Sequence, residues 1–259
     1  MNTWARIIEH QPLGEKLFRL RLQAPDIAAA ARPGQFVMLK VRHGKDPLLA
    51  RPFSIHGVDG DDLFILYRVV GRGTSILSLA RPGKSLAMWG PLGAGFDLSV
   101  ENPILVAGGM GIAPLPFVAE ELVKQDKQVS FILGMLSVKG FEALIEVLEK
   151  RLEPNRISIS WATEDGSLGL KGIVTDLLPE ALADSGASLL TCGPMPMLKA
   201  VAKLAAEHNR PCQVSLEAPM ACGFGVCLGC VVPQAGGGYL RACQDGPVLN
   251  AEQVDWERL

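Results

Sequence analysis

Four of the six cysteines of the 259-residue chain cluster near its C-terminal end. The first three have the spacing C-x4-C-x2-C and the fourth follows at a distance, which is the ligand pattern of plant-type [2Fe-2S] clusters. Glycines lie between them, and glycine lets a loop adopt positive φ and direct backbone N–H groups at sulfur. The pattern predicts a [2Fe-2S] cluster whose ligands are Cys222, Cys227, Cys230 and Cys243.

A structural zinc site is the alternative for the same cysteines. Zinc ribbons usually pair one C-x2-C with a second one. Here the first gap is longer and Cys243 stands alone, which favours the iron–sulfur cluster. Cys192 and Cys212 lie outside the pattern, and we expect both to be ordinary buried thiols.

Two segments in the first third of the chain have residue types that suit a flavin nucleotide. In Arg51-Pro52-Phe53-Ser54 the arginine could bind a pyrophosphate, Phe53 could cover an aromatic ring and Ser54 could hydrogen-bond the isoalloxazine edge. Gly71-Arg72-Gly73-Thr74-Ser75 opens a predicted helix, whose free N–H groups suit a phosphate. Each segment has a structural alternative, because Arg-Pro before a strand is common and a threonine after a glycine turn can simply cap a helix.

Two later segments could bind a dinucleotide. Residues 104–114 form a buried strand, a glycine turn and the start of a helix, which suits a pyrophosphate at the C-terminal edge of a parallel sheet. The G-x-G-x-x-G fingerprint is absent, so a standard Rossmann motif is not predicted. Thr191-Cys192-Gly193-Pro194 ends a later strand at the same edge, where a nicotinamide could lie, although a tight strand-to-helix turn would look similar. The predicted residues are Gly108, Gly109, Gly111, Cys192, Gly193 and Pro194.

These segments fall on three predicted structural units. Residues 1–98 contain short, partly alternating runs at turn-marked intervals, which predict a small antiparallel β barrel with one short helix over Ser75 to Ala80. Residues 99–217 alternate apolar strands with helices, which predicts an α/β domain with a parallel sheet. Residues 218–259 form a Cys- and Gly-rich tail that needs a metal or a neighbour to fold.

Composition excludes several classes of protein. The net charge of -2 and the absence of a basic block make a nucleic acid an unexpected partner. The N-terminal residues lack the apolar core of a signal peptide, so we expect a cytoplasmic chain. The longest uncharged stretch, Pro103 to Ala119, is broken by glycine and proline and is too short for a membrane span.

Taken in order along the chain, the motifs resemble those of the ferredoxin-reductase family of flavoproteins. The stretch from Glu217 to Cys230 further resembles the electron-transfer subunits of NAD-linked (type B) dihydroorotate dehydrogenases, and this likeness extends over essentially the whole chain. The resemblance implies a ferredoxin-reductase-like FAD barrel, an NAD-binding domain and a [2Fe-2S] subdomain. It assigns FAD binding to Arg51, Pro52, Phe53, Ser54, Arg68, Val69, Val70, Gly73 and Thr74.

The resemblance also implies a function. A nicotinamide carries two electrons as hydride and a [2Fe-2S] cluster carries one, so a flavin must lie between them. Electrons from dihydroorotate would enter from an FMN-containing catalytic subunit, in a heterotetramer, and no residue of this chain need act as a catalytic acid or base. NAD is favoured over NADP because Leu136-Ser137-Val138-Lys139 lacks an arginine-rich phosphate site, although Lys139 leaves NADP open.

One further departure from the family pattern and two rival functions accompany this hypothesis. Many ferredoxin reductases have tyrosine where this chain has Phe53, so a phenol contact to the cofactor is not expected. The nearer rival is a flavin subunit of a hydrogenase or of a ferredoxin:NADP oxidoreductase, several of which have aspartate at the position of Cys222. The rival from another class is a zinc-binding scaffold module without enzymatic activity.

Overall fold

A computed structural model describes residues 1–44, 46–183 and 186–259. The first unit is a seven-stranded antiparallel sheet with the order β4-β3-β7-β1-β2-β6-β5. Strands β4 and β6 also contact each other, so the sheet curls into a barrel around one apolar core. The strands are β1 (Asn2–Gly14), β2 (Leu17–Gln23), β3 (Phe36–Leu39), β4 (Arg51–Ser54), β5 (Gly57–Asp59), β6 (Asp62–Arg68) and β7 (Ser85–Leu92).

Two short helices, α1 (Pro25–Ala30) and α2 (Arg72–Leu77), accompany the barrel. The sequence did not predict α1, and it placed the start of α2 three residues late. The earlier start has a local cause, because the Thr74 hydroxyl accepts the Gly71 N–H at 3.2 Å and donates to the Gly71 carbonyl at 3.0 Å. Threonine at the third position thus fixes the first turn.

The second unit is a sheet with the order β11-β10-β9-β8-β12-β13-β16, in which all pairs except the last are parallel. The predicted α/β alternation is confirmed. The strands are β8 (Pro103–Gly108), β9 (Val129–Met135), β10 (Ile157–Thr163), β11 (Leu170–Lys171), β12 (Ser188–Cys192) and β13 (Cys212–Ser215). The helices are α3 (Leu115–Val123), α4 (Glu142–Arg151), α5 (Val174–Ala181) and α6 (Met195–Glu207).

The C-terminal tail is tied to both units. Its strands β14 (Val231–Pro233) and β15 (Tyr239–Arg241) form a hairpin, whereas β16 (Val248–Asn250) pairs antiparallel with β13. Buried tail residues, among them Val232 and Leu249, share one apolar core with the α/β unit. The tail therefore folds on its neighbours. No helix within the described residues is long and apolar enough to cross a bilayer.

Candidate functional site

A cavity of about 490 Å³ lies between the barrel and the parallel sheet. Its walls come from β4, the end of β6, the start of α2, the glycine-rich turn after β8, the end of β12 and the segment before the first clustered cysteine. The structure thus brings together sequence-distant segments that were each predicted to bind a cofactor. The predicted residues that line it are Arg51, Pro52, Phe53, Ser54, Arg68, Val70, Gly73, Thr74 and Cys192.

Six of the residues predicted to bind FAD or NAD lie outside the cavity lining. Val69 packs against the barrel core instead, because neighbouring residues of an extended chain point in opposite directions. The other five surround the glycine-rich turn and the end of β12, and they are Gly108, Gly109, Gly111, Gly193 and Pro194.

The guanidinium of Arg51 lies directly over the first turn of α2. Its Nη1 donates to the Leu49 carbonyl at 2.5 Å. A Cβ on Gly73 would lie 2.6 Å from the Arg51 Nε, so only glycine leaves room for this approach. The two predicted flavin segments therefore contact each other, and together they bring the Arg51 guanidinium and the first N–H groups of a helix to one point.

Thr74 has a structural role in addition to its place in the cavity wall. Its hydroxyl accepts the backbone N–H groups of Val70 at 2.9 Å and Gly71 at 3.2 Å and donates to the Gly71 carbonyl. These three bonds use the capacity of the hydroxyl, so the capping alternative holds for the side chain. A contact from this residue to a phosphate would have to come from its backbone N–H.

The edge of the parallel sheet at which β8 and β12 end, the predicted nucleotide-binding edge, is closely packed around glycine. A Cβ on Gly111 would collide with the carbonyl group of Cys192, and one on Gly108 would collide with the Met197 sulfur. The turn after β8 can therefore approach the end of β12 only with these residues. Cys192 and Cys212 are both buried, as predicted. Burial, reinforced by the charge of Glu217, raises the pKa of the Cys192 thiol to about 12.

Tyr67, Glu217 and Met220 are among the cavity-lining residues that sequence reasoning missed. Tyr67 is buried beside Phe53, with ring centroids 5.7 Å apart, and its hydroxyl lies 2.9 Å from His10 Nε2. It therefore does not replace the phenol that Phe53 lacks. Glu217 and Met220 precede the cysteine loop. The only sequence signal for Glu217 and Met220 was the motif from Glu217 to Cys230. Their place in the cavity wall depends on how the chain turns back towards the barrel after β13.

The four clustered cysteines form two pairs. The sulfur atoms of Cys230 and Cys243 are 3.1 Å apart, and Cys222 is hydrogen-bonded to Cys227. A [2Fe-2S] cluster takes two protein ligands on each iron, so two pairs of thiols suit its shape. No group of three or more His, Cys, Asp or Glu side chains within the described residues meets the geometry of a single metal site.

Backbone N–H groups point at the cysteine sulfurs, as the glycine pattern predicted. Gly225, at φ 84°, donates to the Cys243 sulfur at 3.0 Å. Partial burial opposes ionisation of Cys222, but the N–H groups of Phe224, Cys227 and Val226 outweigh it and lower the pKa of this thiol to about 6. Hydrogen bonds within the loop thus favour the thiolate of Cys222, which is the form of a cysteine that binds iron, whereas burial raises the pKa of Cys243 to about 12.

The cysteine loop is adjacent to the cavity. Met220 lines the cavity and Cys222 follows two residues later, which is at most about 7 Å of chain. Trp89 Nε1 donates to the Cys222 carbonyl at 3.2 Å, and Gly223 packs against Met38, whose strand partner is Pro52. A centre held by the cysteines and a ring held in the cavity would therefore be close neighbours.

A carboxylate missed by sequence reasoning lies at the outer end of the nucleotide edge. Asp165 Oδ1 accepts the backbone N–H of Ser167 at 2.9 Å and its hydroxyl at 2.6 Å, and the Val138 N–H donates to the Ser167 hydroxyl at 3.0 Å. Hydrogen bonds from Ser137 and then Ser167 lower the pKa of Asp165 to about 2. The ends of β9 and β10 thus carry a fixed negative charge.

The barrel, the parallel sheet and the cysteine loop around a shared cavity define a ferredoxin-reductase-like flavoprotein with an iron–sulfur site. Residues 105–203 match the model of the oxidoreductase NAD-binding domain. Residues 217–255 match the iron–sulfur cluster binding domain of dihydroorotate dehydrogenase B. These matches confirm the predicted NAD and iron–sulfur cofactors, and the fold agrees with the predicted FAD.

Relatives extend over the whole chain. The electron transfer subunit of dihydroorotate dehydrogenase B (NAD(+)) from Desulforamulus reducens is 39% identical, with 98% of each chain covered. A homolog of that subunit from Aquifex aeolicus is 36% identical, with 96% of this chain and 97% of the relative covered. The chain therefore belongs to the family of dihydroorotate dehydrogenase B electron transfer subunits, as its motifs predicted.

Solved structures agree with this fold. An NADH-dependent reduced ferredoxin-NADP oxidoreductase is 28% identical and has a TM-score of 0.85, with 99% of this chain and 91% of that chain covered. A ferredoxin NADP+ reductase from Neisseria gonorrhoeae is 19% identical and has a TM-score of 0.67, with 80% of this chain covered and 91% of the other. The second likeness concerns the fold alone.

Proposed function

We propose that this chain passes electrons from dihydroorotate, oxidised by an FMN-containing catalytic subunit, to NAD+ in the cytoplasm. The observation that carries the proposal is the junction of three sites: the cavity between barrel and sheet, the glycine turn at its wall, and the cysteine loop two residues beyond Met220. FAD in this cavity would exchange single electrons with a [2Fe-2S] cluster and a hydride with NAD.

The cavity wall supplies what an FAD molecule requires. Its charged lining residues are Arg51, Arg68, Arg72 and Glu217, a cationic surface that suits a pyrophosphate. In the proposal Arg51 and the Gly73–Thr74 backbone hold the phosphates, while Phe53 and Ser54 face the ring. Gly108, Gly109 and Gly111 hold NAD at the wall, and Cys222, Cys227, Cys230 and Cys243 bind iron.

The surface around the cysteine loop is the proposed contact with the catalytic subunit. Phe224, Val226 and Leu228 lie between the ligands and are 55%, 73% and 59% exposed. Cys227 is also exposed. Apolar side chains around an accessible cluster ligand suit a protein interface that brings a second redox centre close. We propose a heterotetramer of two such pairs.

Reconstitution tests the proposal. The chain loaded with FAD and cluster should reduce dyes with NADH, but reduce NAD+ with dihydroorotate only after addition of the FMN-containing subunit. Val226→Glu should abolish association and the coupled reaction while leaving dye reduction intact. Leu170→Glu is the matched control, because Leu170 is 41% exposed on β11, at the opposite end of the sheet from the tail strand β16.

Two outcomes would defeat the proposal. Dihydroorotate-dependent reduction of NAD+ by the single chain would show that no partner is needed, and failure of the two subunits to associate would remove the partner. Reduction of NADP+ with reduced ferredoxin, in the absence of any coupled dihydroorotate activity, would favour the rival function instead. The 28% identity to the NADH-dependent ferredoxin-NADP oxidoreductase is the observation behind that rival.

A further inference from the structure

His56 connects the end of β4, the strand predicted to bind flavin, with the glycine-rich turn after β8. This buried contact joins the barrel to the α/β unit. His56 follows β4 by two residues and is completely buried. Its Nδ1–H donates to the Ala113 carbonyl at 2.6 Å. Ala113 ends the glycine-rich turn and lines the same cavity as Ser54. One side chain therefore links the wall predicted to hold the flavin to the wall predicted to hold the nicotinamide, and hydride would pass between these two rings.

Arg151 secures the same junction from the other side. Its Nη2 donates to the His56 carbonyl at 3.1 Å, and its Nε and Nη2 contact the Glu120 carboxylate at 2.5 and 2.7 Å. Gly57 leaves room for this guanidinium, because a Cβ there would collide with Nη2. Helices α3 and α4 of the nucleotide-binding unit, which carry Glu120 and Arg151, are thus both fastened to the barrel.

The ring of His56 has only one hydrogen bond to preserve. Burial, with the nearby charge of Arg151, lowers its pKa to about 3, so the imidazole is neutral and carries a single N–H. Among the described atoms its Nε2 has no hydrogen-bond partner. A shorter side chain with one N–H donor at the position of Nδ1 could therefore serve in its place.

We propose that His56 is a positioning residue for hydride transfer, which holds the Met110–Ala113 turn at its working distance from the flavin strand. Hydride transfer requires reacting atoms about 3–3.5 Å apart, and a displacement of about 1 Å can cost on the order of 100-fold in rate. Loss of the bond to Ala113 frees a turn whose other member in the cavity wall is Met110. This inference rests on the proposed exchange of hydride between NADH and FAD.

The test compares His56→Leu, which removes the donor, with His56→Asn, which can retain it. In the chain loaded with FAD and cluster, we expect His56→Leu to lower the limiting rate of flavin reduction by NADH about 10- to 100-fold, measured by rapid mixing. The NADH concentration that gives half the limiting rate should change less than about threefold. His56→Asn should recover most of the rate.

Hydrogen exchange supplies a readout that does not depend on activity. Amides of residues 109–113 should exchange faster in His56→Leu than in the wild type and return towards wild type in His56→Asn. Arg151→Met gives a second route if His56→Leu does not fold, because it removes the bond to the His56 carbonyl and leaves the His56 side chain in place. Arg156→Met is its matched control, since Arg156 lines the same surface cavity as Arg151 but pairs with Asp126 rather than with Glu120.

The outcomes separate this inference from the proposed function. Failure of NADH to reduce the flavin of the wild-type chain would defeat the proposed function, whereas the exchange data would still report on the junction. A limiting rate within twofold of wild type in folded, fully loaded His56→Leu, or in Arg151→Met, would overturn the positioning role. An equal loss of rate in Arg156→Met would do the same.

Discussion

Removal of Arg51 should weaken FAD binding by a predictable amount. The structure fixes one edge of its guanidinium, because Nη1 donates to the Leu49 carbonyl at 2.5 Å. The remaining Nε and Nη2 lie over Gly73, where a Cβ would come within 2.6 and 3.2 Å of them. Arg51→Ala therefore removes an oriented pair of charged donors at the start of α2.

The expected loss follows from the position of the side chain. A hydrogen bond to a charged group contributes about 1.5–3 kcal/mol. Arg51 is only half-buried in the absence of ligand, so solvent screening places the expected value in the lower half of that range, about 1.5–2 kcal/mol. Each factor of ten in affinity corresponds to about 1.4 kcal/mol, so the Kd for FAD should rise about 10- to 30-fold.

A double-mutant cycle sharpens the assay. Gly73→Ala forces the same guanidinium to move, so it should weaken FAD binding in the wild type and have little further effect in Arg51→Ala. Flavin fluorescence titration of the deflavinated chain measures each Kd, and Arg6→Ala, on the exposed face of β1, is the control for loss of an arginine. An unchanged Kd in Arg51→Ala, or additive effects of the two changes, would refute the proposed phosphate contact.

Two further predictions concern the other sites. Cys227→Ser should lose the [2Fe-2S] electron paramagnetic resonance signal of the dithionite-reduced chain. It should retain most of the FAD, because Cys227 lies in the tail outside the cavity lining. A signal of full intensity would contradict the role of Cys227 as a ligand. The chain should prefer NADH to NADPH in dye reduction, because a carboxylate held ionised at the end of β10 repels a 2'-phosphate. Asp165→Asn should reduce the ratio of the two specificity constants at least threefold. Equal specificity constants for the two nucleotides in the wild type would refute this prediction. Since hydrogen bonds lower the pKa of Asp165 to about 2, its carboxylate stays ionised at neutral and mildly acidic pH, and its part in the preference should not change between about pH 8 and about pH 6.

Local residue patterns predicted most of the elements and the chemistry that each can support. The spacing of the four cysteines predicted an iron–sulfur cluster, because cluster ligation depends on local loop length and on glycines that need positive φ. The change from alternating strands to strand–helix repeats predicted the barrel and the parallel sheet. The order of Arg51–Ser54, the glycine turn and the cysteine loop predicted the family, since each motif is a local pattern of residue types.

Contacts between residues that are far apart in the sequence could be read from the tertiary structure alone. It placed Gly73 under the Arg51 guanidinium, Asp165 at the nucleotide edge and His56 against Ala113. It also paired β16 with the parallel sheet, although the tail was predicted as a unit that follows that domain. Such contacts depend on strand order, chain reversal and side-chain direction across units of different folds, and these are set by the burial of the whole apolar core rather than by any local run of sequence.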